Sequence, residues 1–397
     1  MQQWRKNVYV LWLAVFVASI CWTMVMPFTP NYLKQLGQET GTEFWSGVII
    51  AVSSLCSMVM APIWGAIGDR YGRRMMMLRA GSFLTIGYAL MAIVRSPMQL
   101  LGVRVMIGLL TGFVPMAIAL VGVSTPHSEV GQALGMIQTA WPSGSIIGPV
   151  VGGVLADWIG IRGASWISAA GIASMTALVF LMVREEFSAP AAEKKNLVED
   201  LRVAVTHKVL ASIVLITAAA QAAVMALEPV VVPFVQELAG PGAPSWLSGF
   251  LYSVPGVAFI LMAGWWARRG QKVGYARTTA EGMVGSALLY LLQAPVVSTW
   301  QFGALRLLSG VAGAAVGPGV AALLATTIPK DLRGRAFGLN QAASSLGSIV
   351  GPLLGGYIGD YMNDRGVLLL AGLLYFIGWV WIVRVVQPRT RDLVLTE

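Results

Sequence analysis

Charged side chains are scarce in this chain. Asp, Glu, Lys and Arg make up 11% of its 397 residues, where soluble domains carry about 25%, and so few charges cannot cover the surface of a soluble fold of this length. Intrinsic disorder is excluded too, since it needs little hydrophobicity and much charge. Two cysteines are too few for a disulfide scaffold. Cys21 and Cys56 lie in apolar runs, where a free thiol acts as a small hydrophobe. The two histidines, His127 and His207, form no ligand pattern with neighbouring acids, so no metal is expected. No Gly-x-x-x-x-Gly-Lys-Ser/Thr loop is present to hold a nucleotide, and no cofactor is expected.

What the chain has in excess is apolar surface: 56% of its residues are hydrophobic, and it carries 45 glycines. A membrane-spanning helix needs about 20 apolar residues, because lipid offers the backbone no hydrogen-bond partners. Twelve low-charge stretches have that length: 8–33, 44–68, 75–94, 98–122, 131–156, 163–183, 209–235, 245–267, 275–293, 298–325, 334–359 and 366–386. The first run continues through Pro27 and Pro30 to Lys34, too long for a cleaved leader. The only substantially polar internal stretch, 184–208, carries Glu185, Glu186, Glu193, Lys194, Lys195, Glu199 and Asp200. It reads as a linker dividing six spans (1–183) from six (209–397).

Lys and Arg are retained in cytoplasmic loops. With twelve spans and an inside N-terminus, most cations fall on the inner side, among them Arg70, Arg73, Arg74, Lys194, Lys195, Arg268, Arg269 and Lys272. Only Lys34, Arg95, Arg162 and Arg365 fall outside. The net charge of +9 is therefore a topology signal and not a nucleic-acid surface. Both termini are expected in the cytoplasm, with the chain in the inner cell membrane.

The two halves repeat one another. Gly131, Gly135, Gln138, Gly144, Gly148, Pro149, Gly152, Gly153 and Asp157 recur 203 residues later as Gly334, Gly338, Gln341, Gly347, Gly351, Pro352, Gly355, Gly356 and Asp360. At an offset of 202, Pro27, Tyr88, Arg104 and Gly108 recur as Pro229, Tyr290, Arg306 and Gly310. The fold expected is an all-α membrane protein of two pseudo-symmetric six-helix bundles. Repeats of this parallel kind flank a central site that rocking exposes to each side in turn.

Between spans 2 and 3, Gly65-Ala-Ile-Gly-Asp69-Arg70-Tyr71-Gly72-Arg73-Arg74 resembles the signature loop of the major facilitator superfamily. Span 5 carries Gly144-Ser-Ile-Ile-Gly148-Pro149-Val-Val-Gly152-Gly153, which resembles the motif of its antiporter branch. Nearly the whole chain is similar to the twelve-span drug:proton antiporters, and within them to the MdtG-like multidrug exporters. In the loop, Asp69 is placed to meet helix N-termini or guanidinium groups when the inner side closes; the bland alternative is that Arg70, Arg73 and Arg74 only anchor the topology. The second-half counterpart, Trp265-Trp266-Ala-Arg268-Arg269-Gly270, has no acid, so an asymmetric gate is expected. The glycines 144, 148 and 152 share one helix face and admit a close neighbour, while Pro149 removes a backbone bond. Packing and hinge motion is the reading for that motif.

Ionisable groups inside a membrane are functional candidates by default. Three stand out: Arg104 in span 4, Glu228 in span 7 and Arg306 in span 10, each about 10 Å deep at 1.5 Å per residue. Proton coupling is the role expected of Glu228, since a carboxyl group that gains or loses a cationic partner changes its proton affinity. Recognition of a cationic substrate and a structural ion pair are the alternatives. Arg104 resembles the family's span-4 arginine, implicated in proton exchange. Arg79 and Glu281, nearer the inner ends of spans 3 and 9, read as structural.

The same resemblance makes spans 1, 4, 7 and 10 the cavity wall, supplying Trp22, Met24, Met26, Phe28, Met106, Phe113, Met116, Gln221 and Met225. Gln138, Trp141, Asn340 and Gln341 come from the helices behind. Methionine and aromatic surfaces adapt to varied apolar ligands, although each residue could equally face lipid or a neighbouring helix. The function implied is proton-driven export of small lipophilic compounds, neutral or cationic, by a single chain with no enzymatic step. The rivals are a dedicated exporter of one metabolite, a proton symporter and, from another class, a membrane-embedded enzyme or sensor.

Overall fold

The computed structural model describes residues 2–185, 208–240, 242–329 and 332–388, and every regular element among them is helical. The linker beyond Glu185 and His207 lie outside the described residues. Among the described residues, nine helices are long and apolar enough to cross a membrane. One of them, Val130–Met182, runs for 53 residues and turns at Gly160 (φ +74°, ψ 169°), so it holds two spans. Tyr275–Gln293 and Arg333–Tyr361 are less apolar, and with them the described chain has the twelve spans expected. It is a multi-pass membrane protein.

Among the described residues, four of the spans are interrupted. Span 1 (Gln3–Gln35) stops at Val25, passes through a tight turn at Met26–Phe28 and resumes at Thr29. Span 7 does the same: Lys208–Ala226 ends, 227–230 form a turn, and Val231–Ala239 follows. Pro27 and Pro229, partners in the repeat, sit in these two turns; neither can donate an N–H to the preceding helical turn. Span 4 breaks between Leu110 and Phe113, where Thr111 turns extended and Gly112 takes φ +130°, a value side chains with a Cβ rarely adopt. Span 10 breaks more gently at Ala314–Ala315.

The chain packs as two compact units. The first gathers the residues up to Thr42, those from Val52 through the rest of the first half, and Gly242–Ser253. The second gathers Glu43–Ala51, the start of the second half, and the residues from Val254 onward. Each unit thus contains one helix start that the sequence assigns to the other half.

Inside each unit the packing repeats. In the first, a Cβ on Gly144, Gly148 or Gly152 would collide with span 1 at Phe16, Ile20 and Met24. In the second, Gly347, Gly351 and Gly355 press on span 7 at Ala218, Ala222 and Ala226. Helix starts repeat as well. Ser96 Oγ accepts from Gln99 N at 3.3 Å while Gln99 Oε1 accepts from Arg95 N at 2.8 Å. Ser298 and Gln301 do the same, at 3.3 and 3.2 Å. Such reciprocal caps satisfy donors that a helix N-terminus leaves orphaned, at about 1 kcal/mol per cap.

Candidate functional site

The three charges singled out deep in the spans are all buried. Arg104 is 0% exposed, Arg306 6% and Glu228 9%. Glu228 stands in the turn that interrupts span 7, its backbone N–H reaching Met225 O at 3.2 Å and Pro229 following directly. A carboxyl group there projects from irregular backbone, which at membrane depth is tolerated only within protein or beside a water-filled cavity. Glu228 and Arg306 belong to the second unit and Arg104 to the first.

Arg104 lies on the first segment of interrupted span 4, its guanidinium 5.9 Å from the ring of Trp22 on span 1. Trp22 in turn lies 6.4 Å from the ring of Trp141 on span 5. Aromatic faces stabilise a desolvated cation by about 2 kcal/mol. Arg306 repeats the theme, 5.9 Å from the Phe302 ring, with its carbonyl accepting from Ser309 Oγ at 2.8 Å.

The break in span 4 leaves carbonyls without helical partners, and two side chains that sequence reasoning did not join together satisfy them. Trp64 on span 2 donates its indole N–H to Leu109 O at 2.7 Å. Arg79 on span 3 reaches Thr111 O at 3.3 Å and Leu110 O at 3.5 Å, and its guanidinium lies 3.2 Å from the centre of the Trp64 ring. The indole bond recurs in the second half as Trp266 to Val311 O at 2.7 Å. The 202-residue offset relates Trp64 to Trp266 and Leu109 to Val311, and that periodicity was the available signal.

In the loop between spans 2 and 3, Asp69 Oδ1 meets Arg73 Nη2 at 2.7 Å, four residues along and past the corner. Gly72 makes the corner with φ +97°. Arg74 donates to Phe180 O at 2.6 Å and stacks on its ring, and Arg70 lies over Tyr71. A Cβ on Gly65 would meet nothing within 4 Å. Glu185, counted in sequence with the linker, caps span 3: its carboxylate accepts from Arg73 N at 3.0 Å and Arg74 N at 2.8 Å. The counterpart loop lacks an acid of its own but borrows one. Glu281 binds Arg269 through both oxygens, at 2.8 and 3.1 Å, and Arg277 at 3.3 Å.

The candidate cavity residues divide. Met26, Phe28, Phe113 and Met116 are buried; Met116 lies where a Cβ on Gly68 would touch it, and Phe113 beside Gly81. Gln221 Nε2 donates to Ser348 Oγ at 3.1 Å, and Asn340 Oδ1 accepts from Thr217 Oγ1 at 2.6 Å, so both polar side chains tie span 7 to span 11. Met225 packs where a Cβ on Gly351 would meet it. Gln138 and Gln341, repeat partners, are exposed.

Comparison with known proteins follows the same lines. The profile of the Major Facilitator Superfamily matches residues 11–280 and 247–396. Multidrug resistance protein MdtG of Serratia proteamaculans (strain 568) is 33% identical over 404 residues, covering 99% of this chain and 98% of its own. Its namesake in Escherichia coli (strain SMS-3-5 / SECEC) is 34% identical over 381 residues, with 94% and 93% covered. Among solved structures the chain resembles the nucleoside transporter NupG, with a TM-score of 0.80, 12% identity and coverage of 95% and 98%. It also resembles the human organic anion transporter MFSD10, with a TM-score of 0.70, 19% identity and coverage of 96% and 100%.

Proposed function

The chain belongs to the major facilitator superfamily, and from that premise we propose that it exports lipophilic small molecules from the cytoplasm in exchange for protons, by alternating access. The observation that carries this reading is the coincidence of breaks with charges. The interrupted spans are 1, 4, 7 and 10, and Glu228, Arg104 and Arg306 lie on three of them. Discontinuous helices near the repeat interface are where transporters of this kind place substrate and ion sites. The full-length likeness to multidrug resistance proteins supports a reading in which the substrates are several lipophilic drugs, neutral or cationic, in place of one metabolite.

In this scheme Glu228 carries the proton. Loaded from the outside, it becomes neutral and sheds any cationic partner; discharged to the cytoplasm, it is again a carboxylate. Arg104 and Arg306 are the cations whose approach or withdrawal drives that exchange. Asp69 and its basic neighbours stabilise the inward-closed form. The loop carrying Arg70, Arg73 and Arg74 faces the cytoplasm, as do both termini, in the inner cell membrane, and one chain suffices. The proton gradient is the only energy source.

The magnitudes suffice. One charge crossing about 100 mV releases about 2.3 kcal/mol, and one pH unit adds about 1.36 kcal/mol. Together these sustain a gradient of a neutral substrate of several hundred-fold. The test is a growth-inhibition panel of cationic dyes, quinolones and neutral antibiotics in cells with and without the chain, repeated with an uncoupler. Protection against several chemical classes that the uncoupler removes is expected. Protection against none of them, or protection that survives the uncoupler, contradicts the reading.

A further inference from the structure

Asp157 and Asp360 occupy matching places in the repeat, at the ends of spans 5 and 11, yet neither has a part in the exchange just described. Asp157 accepts from Ser245 N at 2.9 Å and Trp246 N at 3.2 Å, capping the start of span 8. Asp360 accepts from Phe44 N at 2.5 Å, capping the start of span 2. Both contacts lie inside a compact unit, and both join residues that the sequence assigns to opposite halves.

The surfaces around each cap also match. A Cβ on Gly249 of span 8 would strike the backbone of Pro149, and one on Gly47 of span 2 the backbone of Pro352. Gly153 faces Ser245 and Trp246, and Gly356 faces Glu43 and Phe44. At these glycines backbone lies on backbone, while beside the Asp360 cap the Phe44 ring meets the Tyr357 ring edge-on at 6.4 Å and the Glu43 side chain reaches Gly359. The glycine contacts themselves part without repacking a core. The directional bonds named at each contact are the carboxylate caps, which are charge-assisted and aligned with the positive end of a helix.

We propose that Asp157 and Asp360 are a pair of latches that hold the outer side of the transporter shut, and that their release is the step that opens it outward. The proposal rests on the alternating-access reading above, because the outer ends of opposite halves must separate for outside protons to enter. The two acids are positioning residues: they touch neither proton path nor substrate. A charged cap contributes about tenfold to an equilibrium, so losing both shifts the closed-to-open balance by about a hundredfold.

The experiment reads access directly and needs no substrate. In a Cys21→Ala/Cys56→Ala background, Met26→Cys places a thiol at a buried position in the break of span 1. A membrane-impermeant maleimide is applied to the outer face of right-side-out vesicles. Asp157→Ala/Asp360→Ala is expected to speed labelling at least tenfold. Asp157→Asn/Asp360→Asn, which keeps one neutral acceptor per cap, is expected to speed it less. Unchanged labelling in a folded alanine pair, or equal acceleration in both pairs, would overturn the proposal.

If the alanine pair fails to fold, Asp157→Cys/Ser245→Cys decides. Its oxidised form is expected to stop turnover until a reductant restores it, and full turnover while oxidised overturns the latch. A wild-type chain that exports nothing would sink the proposed function instead, leaving the labelling result to stand alone.

Discussion

A buried ionisable side chain is costly wherever it occurs, which is why Arg104, Glu228 and Arg306 could be singled out from sequence: each interrupts an apolar run. The residues that sequence reasoning passed over are of two kinds. Glu185 sits among other charges and looked like the beginning of a solvated linker; its partners, the amides of Arg73 and Arg74, lie more than a hundred residues earlier. Trp64 looked like any apolar side chain in a membrane helix, and nothing local in the sequence ties its N–H to Leu109 O. At Asp69, stability and function should separate. Its pair with Arg73 is made by a carboxylate that is 56% exposed, and an exposed pair of this kind contributes about 0–1 kcal/mol. Asp69→Asn is therefore expected to leave the thermal unfolding midpoint within a degree or two while lowering the export rate several-fold with substrate preference unchanged. A changed preference would place Asp69 at the substrate instead.

Helices of this length and apolarity were legible from hydropathy alone, because lipid imposes one backbone solution. Their breaks were not. Pro27 and Pro229 were visible as repeat partners, but proline is tolerated inside membrane helices, as Pro62, Pro149, Pro255 and Pro352 are here. Whether a given proline ends a helix depends on what satisfies the freed carbonyls. In span 4 the corner itself is Gly112, with Pro115 in the first turn beyond it, unable to donate to Thr111 O, and Trp64 and Arg79 hold the break. Trp64→Phe keeps the ring under Arg79 and removes its hydrogen bond to Leu109 O, a loss of about 0.5–1.5 kcal/mol. A lower unfolding midpoint in detergent is expected, together with slower transport. The Trp266→Phe variant, acting on the gentler break of span 10, is expected to lose stability with less effect on transport. Equal transport losses at both sites would mean that the span 4 break has no special part in the cycle.

At the level of the whole molecule, the repeat was readable as matched residues at a fixed offset, while the helices its glycines press on, span 1 for span 5 and span 7 for span 11, came from the structure. What the repeat could not announce is that each compact unit takes in a helix start from the opposite half, since Phe44 and Asp360 are bonded across most of the chain's length. The number of protons per cycle is testable at this scale. With one carboxylate discharged per cycle, exporting a neutral drug moves net charge, whereas exporting a monovalent cation does not. Collapsing the membrane potential with valinomycin and potassium, with the pH gradient intact, is expected to reduce neutral-drug accumulation about fiftyfold per 100 mV. Monovalent dye accumulation should stay unchanged. Equal losses for both would show more than one charge crossing with the dye.

The most direct test of the account is a comparison of driven transport with passive exchange in inverted vesicles carrying either the native chain or Glu228→Gln. An imposed pH gradient, acid inside, should make native vesicles concentrate a lipophilic dye more than tenfold and release it on adding an uncoupler. Glu228→Gln vesicles should show no pH-driven concentration, yet still swap labelled for unlabelled dye when both sides are preloaded. If the glutamine variant concentrates the dye as well as the native chain does, Glu228 is not the proton carrier and the proposed coupling fails.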